Sequence, residues 1–485
     1  MRDGGYVASS YRWGSDGNHD ARYLKTTNDT LLKHMAGIPV DDMPKTFQDA
    51  IQVTRHLGVR YLWIDLLCIC QDDTDDWVRE SATMTDVYSG AYVVIAAYSA
   101  SHPSAGFLQR PQRTYTPVAL ATPHGGILDA MAYVTNPQLT VISEYRVQMP
   151  WEPVSQRGWT PQERLLASRV LHYGTEQMVF ECNRHLMSED GFSMPGRWGS
   201  VHSDPGASER VVRVLGYGGY DAAWRIIVDQ YAKRELTART DKLPAIAGLA
   251  QSFQEKFSKQ LDKTEYLAGL WSHSIVSGLH WVTPWWLAKS DEFPREVPLH
   301  GDPRYIAPSW SWASVAWPNE SWGGVRDYEH LAPATAWHIT PKDRNAPMGE
   351  VADGWIKLRG PLFPLTVVDN GDWELYLSRD DTSTAERRLL GHRFELDDCR
   401  SGNVRVKSWL QEKDLFGLAI SKSPATKRHD DNVNYSALLL EARGAGNGGL
   451  MRYTRLGTML IRSEQPSEHL NRIQDPSSVT EVLLV

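Results

Sequence analysis

No stretch of about eighteen apolar residues occurs in the 485-residue chain, so the sequence holds no membrane-spanning helix. Met1 leads directly into Arg2, Asp3 and Gly4, without the apolar segment of a secretory signal. Cysteine is scarce, with four residues at 68, 70, 182 and 399. Cys68 and Cys70 stand too close for an ordinary disulfide or a zinc pair, and no other ligand set of the usual spacing occurs, so no metal is expected. These absences describe a soluble, cytoplasmic protein with reduced thiols. Basic charge is short as well: 51 Lys and Arg face 59 Asp and Glu, and the net charge of -8 speaks against a nucleic-acid binder. There is no internal repeat, no heptad array, no Gly-x-x-x-x-Gly-Lys phosphate loop and no Gly-x-Ser-x-Gly elbow.

What is abundant is tryptophan, nineteen in one chain. Such rings bury large areas while keeping a polar N–H, so a Trp-rich core is the plain reading and ligand stacking the alternative. The length allows two to four domains, each with ample core.

The chain is organised around residues 60–99. Residues 61–69 form an apolar run of the kind that suits a strand covered on both faces, interrupted by one carboxylate, Asp65. The acidic cluster Gln71, Asp72, Asp73, Asp75 and Asp76 follows. Trp77, Ser81, Met84 and Tyr88 then recur at helical spacing, and a β-branched run covers residues 92–97. An unpaired buried Asp65 would cost several kcal/mol. It therefore either caps and pairs at the strand's carboxyl end or lines the crevice there, where open α/β sheets hold ligands.

These residues resemble the core of the fungal HET (heterokaryon incompatibility) domain, whose hallmark is Asp-x-x-Cys-Ile-Asn-Gln followed by an acidic helix with a Met and an Ile-Tyr. Here the pattern reads Asp65, Cys68, Ile69, Cys70, Gln71, Met84, Val87, Tyr88 and Ala91, with Cys70 replacing the usual Asn and its amide. Two further blocks carry the likeness. Residues 10–14 match the opening Ser-Tyr-x-Trp-Gly, and Arg157, Gly158, Trp159, Thr160, Pro161, Gln162 and Glu163 match Arg-Gly-Trp-Thr-x-Gln-Glu. Family members carry a further segment before the first strand, so the sheet is expected to lack an edge element or the gene model to be short.

Taken in order, residues 6–10 form a strand and residues 18–42 read as irregular. PKTFQDAIQVTRHLG reads as a helix with Thr46 as N-cap, Asp49 as a capping-box partner and Gly58 as terminator. With the strands at 61 and 92 this makes β-α-β-α-β, and right-handed crossovers place three strands in one parallel sheet. The expected fold over residues 1–185 is accordingly α/β, and the resemblance implies a TIR-like, flavodoxin-like version of it. Residues 116–134 alternate around a His-Gly-Gly turn, a hairpin signal. Thr160 is placed to cap a helix with Pro161 at N1 and Glu163 at N3, which gives Glu163 a capping-box reading. A strand at residues 178–182 follows.

Residues 186–320 read as mainly helical and Trp-rich. A helix is expected at 224–233, Asp241 as a cap, and Trp281, Trp285, Trp286, Trp310, Trp312 and Trp317 as core or as a pocket wall. The blocks RTDKLPAIAGLA, YLAGLW and PSWSWA resemble the segment that follows the HET domain in many such proteins. Residues 321–485 carry short alternating strands, WIKLRG, LFPLTVV, WELYLS, HRFELDD, FGLAIS, YSALLLEA and YTRLGTMLI, the pattern of an antiparallel barrel or sandwich. Polar stretches at 379–388 and 421–434 read as loops.

If the three blocks converge, they gather the carboxylates Asp65, Glu80 and Glu163 as catalytic candidates. Tyr11, Arg12, Trp13, Cys68, Gln71, Tyr88, Arg157, Trp159 and Gln162 are the ligand-binding candidates. Arginine forks for phosphate, rings for stacking and a carboxylate beside a developing cation suit a nucleotide or other small anionic ligand. An ion-pair network such as Arg157 with Asp65 uses the same residues without chemistry. Cys68, in an apolar run without a neighbouring His, lacks what a thiolate nucleophile needs.

The resemblance implies non-self recognition and incompatibility cell death, with a TIR-like site that hydrolyses NAD at the nicotinamide bond, NAD being a substrate rather than a required cofactor. One alternative is a small-molecule enzyme of fungal specialised metabolism, using acid-base or cyclisation chemistry on an apolar or aromatic substrate. Another is a non-catalytic module acting through a protein partner or self-association.

Overall fold

The computed structural model describes residues 5–13, 23–110, 116–123, 125–132, 141–143, 146–148, 152–191, 193–195, 219–260, 263–282, 301–315, 329–369, 373–377, 393–396, 410–423, 434–446, 449–462 and 473–485. It divides into two compact units, Met1–Ile227 with Arg234–Leu236, and Val228–Lys233 with Thr237–Val485. Gly14, Trp285, Trp286, Trp317, Cys399 and residues 379–388 lie outside the described residues.

The first unit is built on a seven-stranded mixed sheet. Its strands are β1 (Tyr6–Ser10), β2 (Tyr61–Trp63) and β3 (Val93–Ala96). Two short hairpins stand apart from it, β4 (Thr116–Ala121) with β5 (Ile127–Ala132), and β6 (Val141–Ser143) with β7 (Arg146–Gln148). The sheet then adds β8 (Arg169–Tyr173), β9 (Met178–Cys182), β10 (His185–Ser188) and β11 (Ser193–Pro195). The order is β11-β10-β9-β8-β3-β1-β2. The strands β2, β1, β3 and β8 are mutually parallel, so the three expected parallel strands are present and β8 adds a fourth. From β8 onward the pairing is antiparallel.

The helices are α1 (Leu31–Ala36), α2 (Lys45–His56), α3 (Asp65–Cys68), α4 (Thr74–Gly90) and α5 (Thr160–Leu165). Val7, Tyr11, Phe47, Ala50, Ile64, Val93, Ile95 and Phe107 pack into one core cluster.

Three local expectations are corrected. The apolar run from 61 is a strand for three residues only, after which Asp65 opens the short helix α3; the turn forms because Cys68 N–H reaches Ile64 O at 2.8 Å and Asp65 Oδ1 accepts from the Leu66 N–H at 2.8 Å. Thr46 and Asp49 make no capping box. Pro44 is the N-cap, Thr46 Oγ1 accepts from the Gly106 N–H, and Asp49 Oδ2 accepts from the N–H groups of Phe107 and Leu108, so these side chains pin a distant loop instead. Residues 18–42 are not wholly irregular, since α1 and a 3-10 turn (Val40–Asp42) occur within them.

In the second unit the helices Gly219–Ala232 and Pro244–Gln260 occupy the stretch expected to be helical, although the first begins within the first unit. Asp241 lies inside a 3-10 turn, Arg239–Lys242. A short hairpin pairs β12 (Tyr266–Leu267) with β13 (Leu270–Trp271).

The β-rich part contains β14 (Glu329–His330), β15 (Ala334–Pro341), β16 (Val351–Asp369), β17 (Trp373–Leu377) and β18 (Arg393–Leu396). It continues with β19 (Leu415–Lys422), β20 (Asn434–Ala445), β21 (Met451–Arg462) and β22 (Val479–Leu484). β19, β20, β21, β22 and β16 close into a five-stranded barrel, antiparallel apart from the β21–β22 pair. WIKLRG and LFPLTVV belong to one 19-residue strand rather than two. Gly360 and Pro361, which read as a break, fall where β16 changes partner from β22 to β19.

Phe363, Leu365, Leu415, Leu439, Leu456, Met459 and Ile461 fill the barrel core. Trp281, Trp310 and Trp312 are fully buried, and the indoles of Trp281 and Trp312 donate to the carbonyls of Trp310 and Gly269. These three rings are core, as the plain reading of the tryptophans has it.

Candidate functional site

Ser10 ends β1, Asp65 follows β2 by two residues, and α5 carries Glu163. The carboxyl ends of two parallel strands and the start of α5 therefore supply the side chains that meet. Asp65 is 3 % exposed and fully engaged. Its Oδ1 accepts from the Tyr11 hydroxyl and from the Leu66 N–H, and its Oδ2 accepts from Trp13 Nε1 at 2.9 Å and Arg157 Nη2 at 3.0 Å. Four donors on two oxygens leave this carboxylate little capacity for a ligand. The pairing reading of Asp65 holds: it is paired at the strand end.

Arg157 ties the blocks together. Its Nη1 donates to Tyr11 O at 2.8 Å and lies 3.6 Å from Glu163 Oε1, while its guanidinium stacks 5.0 Å from the Trp13 ring centre. Burial works against its charge, but Glu163 and Asp65 more than offset that and hold it protonated.

Glu163 is 3 % exposed and accepts from Ser10 Oγ at 2.5 Å through Oε2. Burial pushes its pKa up to about 7, against the pull of Arg157 and the Ser10 hydrogen bond. It makes no capping box. Trp159 is the N-cap of α5, Pro161 sits one position further in than N1, and Thr160 Oγ1 donates to Val154 O and Arg157 O instead of capping. Short-range spacing suggested a cap, but the long-range bond to Ser10 takes the carboxylate.

Tyr11 and Tyr88 are buried, and their hydroxyls are held well above the ordinary range, first by burial. For Tyr11 the next cause is Asp65, and for Tyr88 it is Glu163 and then Asp65, so both phenols stay protonated beside the carboxylates. Tyr88 donates to Ser9 O at 3.4 Å and meets Trp63 edge to face. Gln162 is 1 % exposed, and neither its amide nitrogen nor its amide oxygen has a hydrogen-bond partner among the described residues. Leaving such groups unpaired costs about 1–3 kcal/mol each, a reason to look for a ligand or water at that point.

Other candidates stand further back. Arg12 is not free for a phosphate, since its Nη1 donates to Gln156 Oε1 and its Nη2 to Glu235 Oε2, both at 2.8 Å. Gln71 Nε2 donates to the carbonyls of Asp65 and Ile69 and so braces α3. Cys68 ends that helix with its side chain exposed, not inside a strand. Its thiol is pushed up by crowding and by Asp65 and Glu80, the opposite of thiolate activation. Cys70, in the family's Asn slot, donates its thiol to Asp72 Oδ1 at 3.4 Å.

Glu80 is partly exposed on α4 beside Arg79, raised mainly by partial burial and by Asp76, and no recorded contact joins it to Asp65 or Glu163. Trp159 meets Trp77 edge to face at 6.2 Å. Asp73 caps α4 by accepting from the N–H groups of Asp75 and Asp76.

Sequence reasoning missed a second buried ionic group. Arg164 Nε donates to Glu181 Oε2 at 3.0 Å, and His172 Nε2 lies 2.8 Å from the same oxygen. A glutamate inside the apolar strand 178–182 was the available signal. It missed as well the segment Arg234–Leu236, which docks on the residues before α5. Among the described residues no cluster of His, Cys, Asp and Glu is arranged to hold a metal ion. No helix of the described residues is long and apolar enough to cross a membrane.

Residues 6–163 match the family model described as Heterokaryon incompatibility protein (HET), and this part of the chain is a HET domain, which points to a function of the heterokaryon-incompatibility type. The match begins at β1 and ends at Glu163, so it contains Ser10, Asp65, Arg157 and Glu163, while Arg164, His172, Glu181 and Arg234–Leu236 lie beyond it. No curated protein and no solved structure matches the chain.

Proposed function

We propose that this HET domain acts in fungal non-self recognition as a cell-death effector, and that its site hydrolyses NAD at the nicotinamide bond with Glu163 as the reacting carboxylate. The observation that carries the reading is the contrast between two buried carboxylates. Asp65 is saturated by four donors, whereas Glu163 keeps one oxygen 3.6 Å from Arg157 and titrates at about 7.

A carboxylate with that pKa supplies negative charge to a developing oxocarbenium centre and also accepts a proton near neutrality. In the reaction the C1′–N bond of the ribose breaks, its electron pair leaves with neutral nicotinamide, and water adds at C1′. Glu163 takes the proton released, giving nicotinamide, ADP-ribose and one proton in balance. Arg157 serves to hold Glu163 and Asp65 in place, and the unpartnered amide of Gln162 serves the ligand. The parallel order β2-β1-β3-β8 supports a TIR-like, flavodoxin-like reading, since sheets of that order bind ligands beyond the strand carboxyl ends.

The test incubates purified protein with NAD and follows nicotinamide by chromatography. Release is expected from the wild type and is lost in Glu163→Gln while the fold survives. Wild-type protein that releases none, alone or crowded to promote assembly, sinks the catalytic half.

A second reading, a non-catalytic interaction module, draws on the same ion pairs. Asp65 and Arg157 satisfy each other at 3.0 Å, as a purely architectural network would. That outcome is the one in which Glu163→Gln changes neither nicotinamide release nor ligand binding.

A further inference from the structure

Three residues outside the family match lie along the motif that leads into α5. Arg234–Leu236 are grouped with the first unit, although the chain on either side, Val228–Lys233 and Thr237–Val485, belongs to the second. The contact is a short stretch of strand-like pairing. Glu235 N–H donates to Gln156 O at 2.6 Å, and Gly158 N–H donates to Glu235 O at 2.8 Å. Side chains fasten both ends. Arg12 Nη2 donates to Glu235 Oε2 at 2.8 Å, and Arg234 Nη1 donates to Thr160 Oγ1 at 2.7 Å.

Leu236 fills the space in front of Gly158. A Cβ at position 158 would come within 2.3 Å of Leu236 Cδ2 and 3.2 Å of Glu235 O, so the strap packs closely on this glycine. Beside this strap the candidate site is closed: Ser10, Asp65 and Glu163 are each 3 % exposed and Gln162 is 1 % exposed, and Arg234 is near enough for its charge to act on Glu163. A ligand reaches Glu163 only if something over it moves.

We propose that Arg234–Leu236 is an autoinhibitory latch on the HET site, released when the flanking chain is pulled or rearranged, so that α5 and Glu163 become accessible. The proposal rests on the reading of Glu163 as the reacting carboxylate. A short backbone pairing with one exposed ion pair and one part-buried hydrogen bond suits a latch, because it is specific in register yet short enough to open locally. Glu235 is suited to regulation, being the most exposed member of the latch, with its side chain 67 % exposed.

The test uses the full chain. Glu235→Arg sets two arginines against each other, and Arg12→Glu combined with Glu235→Arg restores the pair with its signs exchanged. Carbodiimide labelling of carboxyl groups reads access to Glu163, and hydrogen exchange reads residues 156–163. Glu152, fully buried in the same unit on Thr175, is the internal control for unfolding.

The expected result is roughly tenfold faster exchange at 156–163 and clear labelling of Glu163 in Glu235→Arg, both reversed in the charge-exchanged double variant, with Glu152 protected throughout. A triple variant, Arg234→Ala, Glu235→Arg and Leu236→Asp, covers the case in which one substitution leaves the backbone pairing intact. If Glu163 stays unlabelled in the triple variant, or if Glu152 becomes labelled with it, the segment is a structural brace and the proposal is overturned. If Glu163 opens but no variant releases nicotinamide from NAD, the latch stands and the NAD reading falls.

Discussion

The two units bury charge in different ways. The first hides charge: Asp65, Arg157 and Glu163 form one cluster, and Arg164, Glu181 and His172 another. The second hides more rings, and its buried charges include Arg455, which donates to the carbonyls of Leu279 and Trp281, Lys242, which donates to Val315 O, and Glu441, which accepts from Lys413. Trp281, Trp310 and Trp312 are fully buried, Arg455 lies 3.4 Å from the Trp281 ring centre, and His280 is buried with Nε2 2.7 Å from Ser421 Oγ. An apolar core gains stability from each group it hides, whereas buried ion pairs roughly break even and are costly when half removed. A unit that keeps such pairs where three sequence-distant blocks meet is giving up stability for a defined arrangement of charges, which is the physical reason to look for chemistry there.

The largest break in that contrast is Asp65→Ala. Removing one partner strands Arg157, Trp13 and Tyr11 without their acceptor and should cost about 3–5 kcal/mol. Native-state hydrogen exchange should show the loss in β1 and β3 amides and leave β20 unchanged.

The pH responses of the two units should then run in opposite directions. Glu163 has a folded pKa raised to about 7 from 4.5, so its contribution is fully present below about 4.5 and is lost as pH rises to 7. That amounts to about 3 kcal/mol across the window. His280 has a folded pKa lowered to about 4 from 6.5, chiefly by burial, so the second unit keeps its full stability above about 6.5 and loses it as pH falls toward 4. Glu163→Gln should flatten the first slope and His280→Gln the second, each without touching the other. A single shared pH profile for both units would contradict the account.

A smaller effect sharpens the Asp65 assignment. Tyr11→Phe removes one of four donors and should cost about 1–3 kcal/mol, read as a lowered unfolding midpoint of the first unit. Because Trp13 and Arg157 remain on Asp65, the loss should stay below that of Asp65→Ala.

Patterns local in sequence translated well. The strands at 6–10 and 178–182, the hairpin of β4 and β5 and the β-rich character of the C-terminal part all follow from periodicity and turn residues that act over a few positions. What failed was the assignment of polar partners. Thr46, Asp49, Thr160 and Glu163 all sit at spacings that suit capping, but each finds a partner tens of residues away, and no spacing rule reports a bond such as Ser10 to Glu163. The family blocks marked which residues converge, while the commitment of Asp65, the diversion of Arg12 to Gln156 and Glu235, and the latch at 234–236 needed coordinates.

The central claim is that Glu163 is the carboxylate held ready for proton chemistry near neutral pH. The most direct test is an isotope-edited infrared titration of protein carrying carboxyl-labelled glutamate, with Glu163→Gln subtracted to isolate its band. The account predicts one glutamate that passes from protonated to ionised at about pH 7 and is absent from the variant. A difference band that titrates near 4.5, as an ordinary glutamate does, would contradict it.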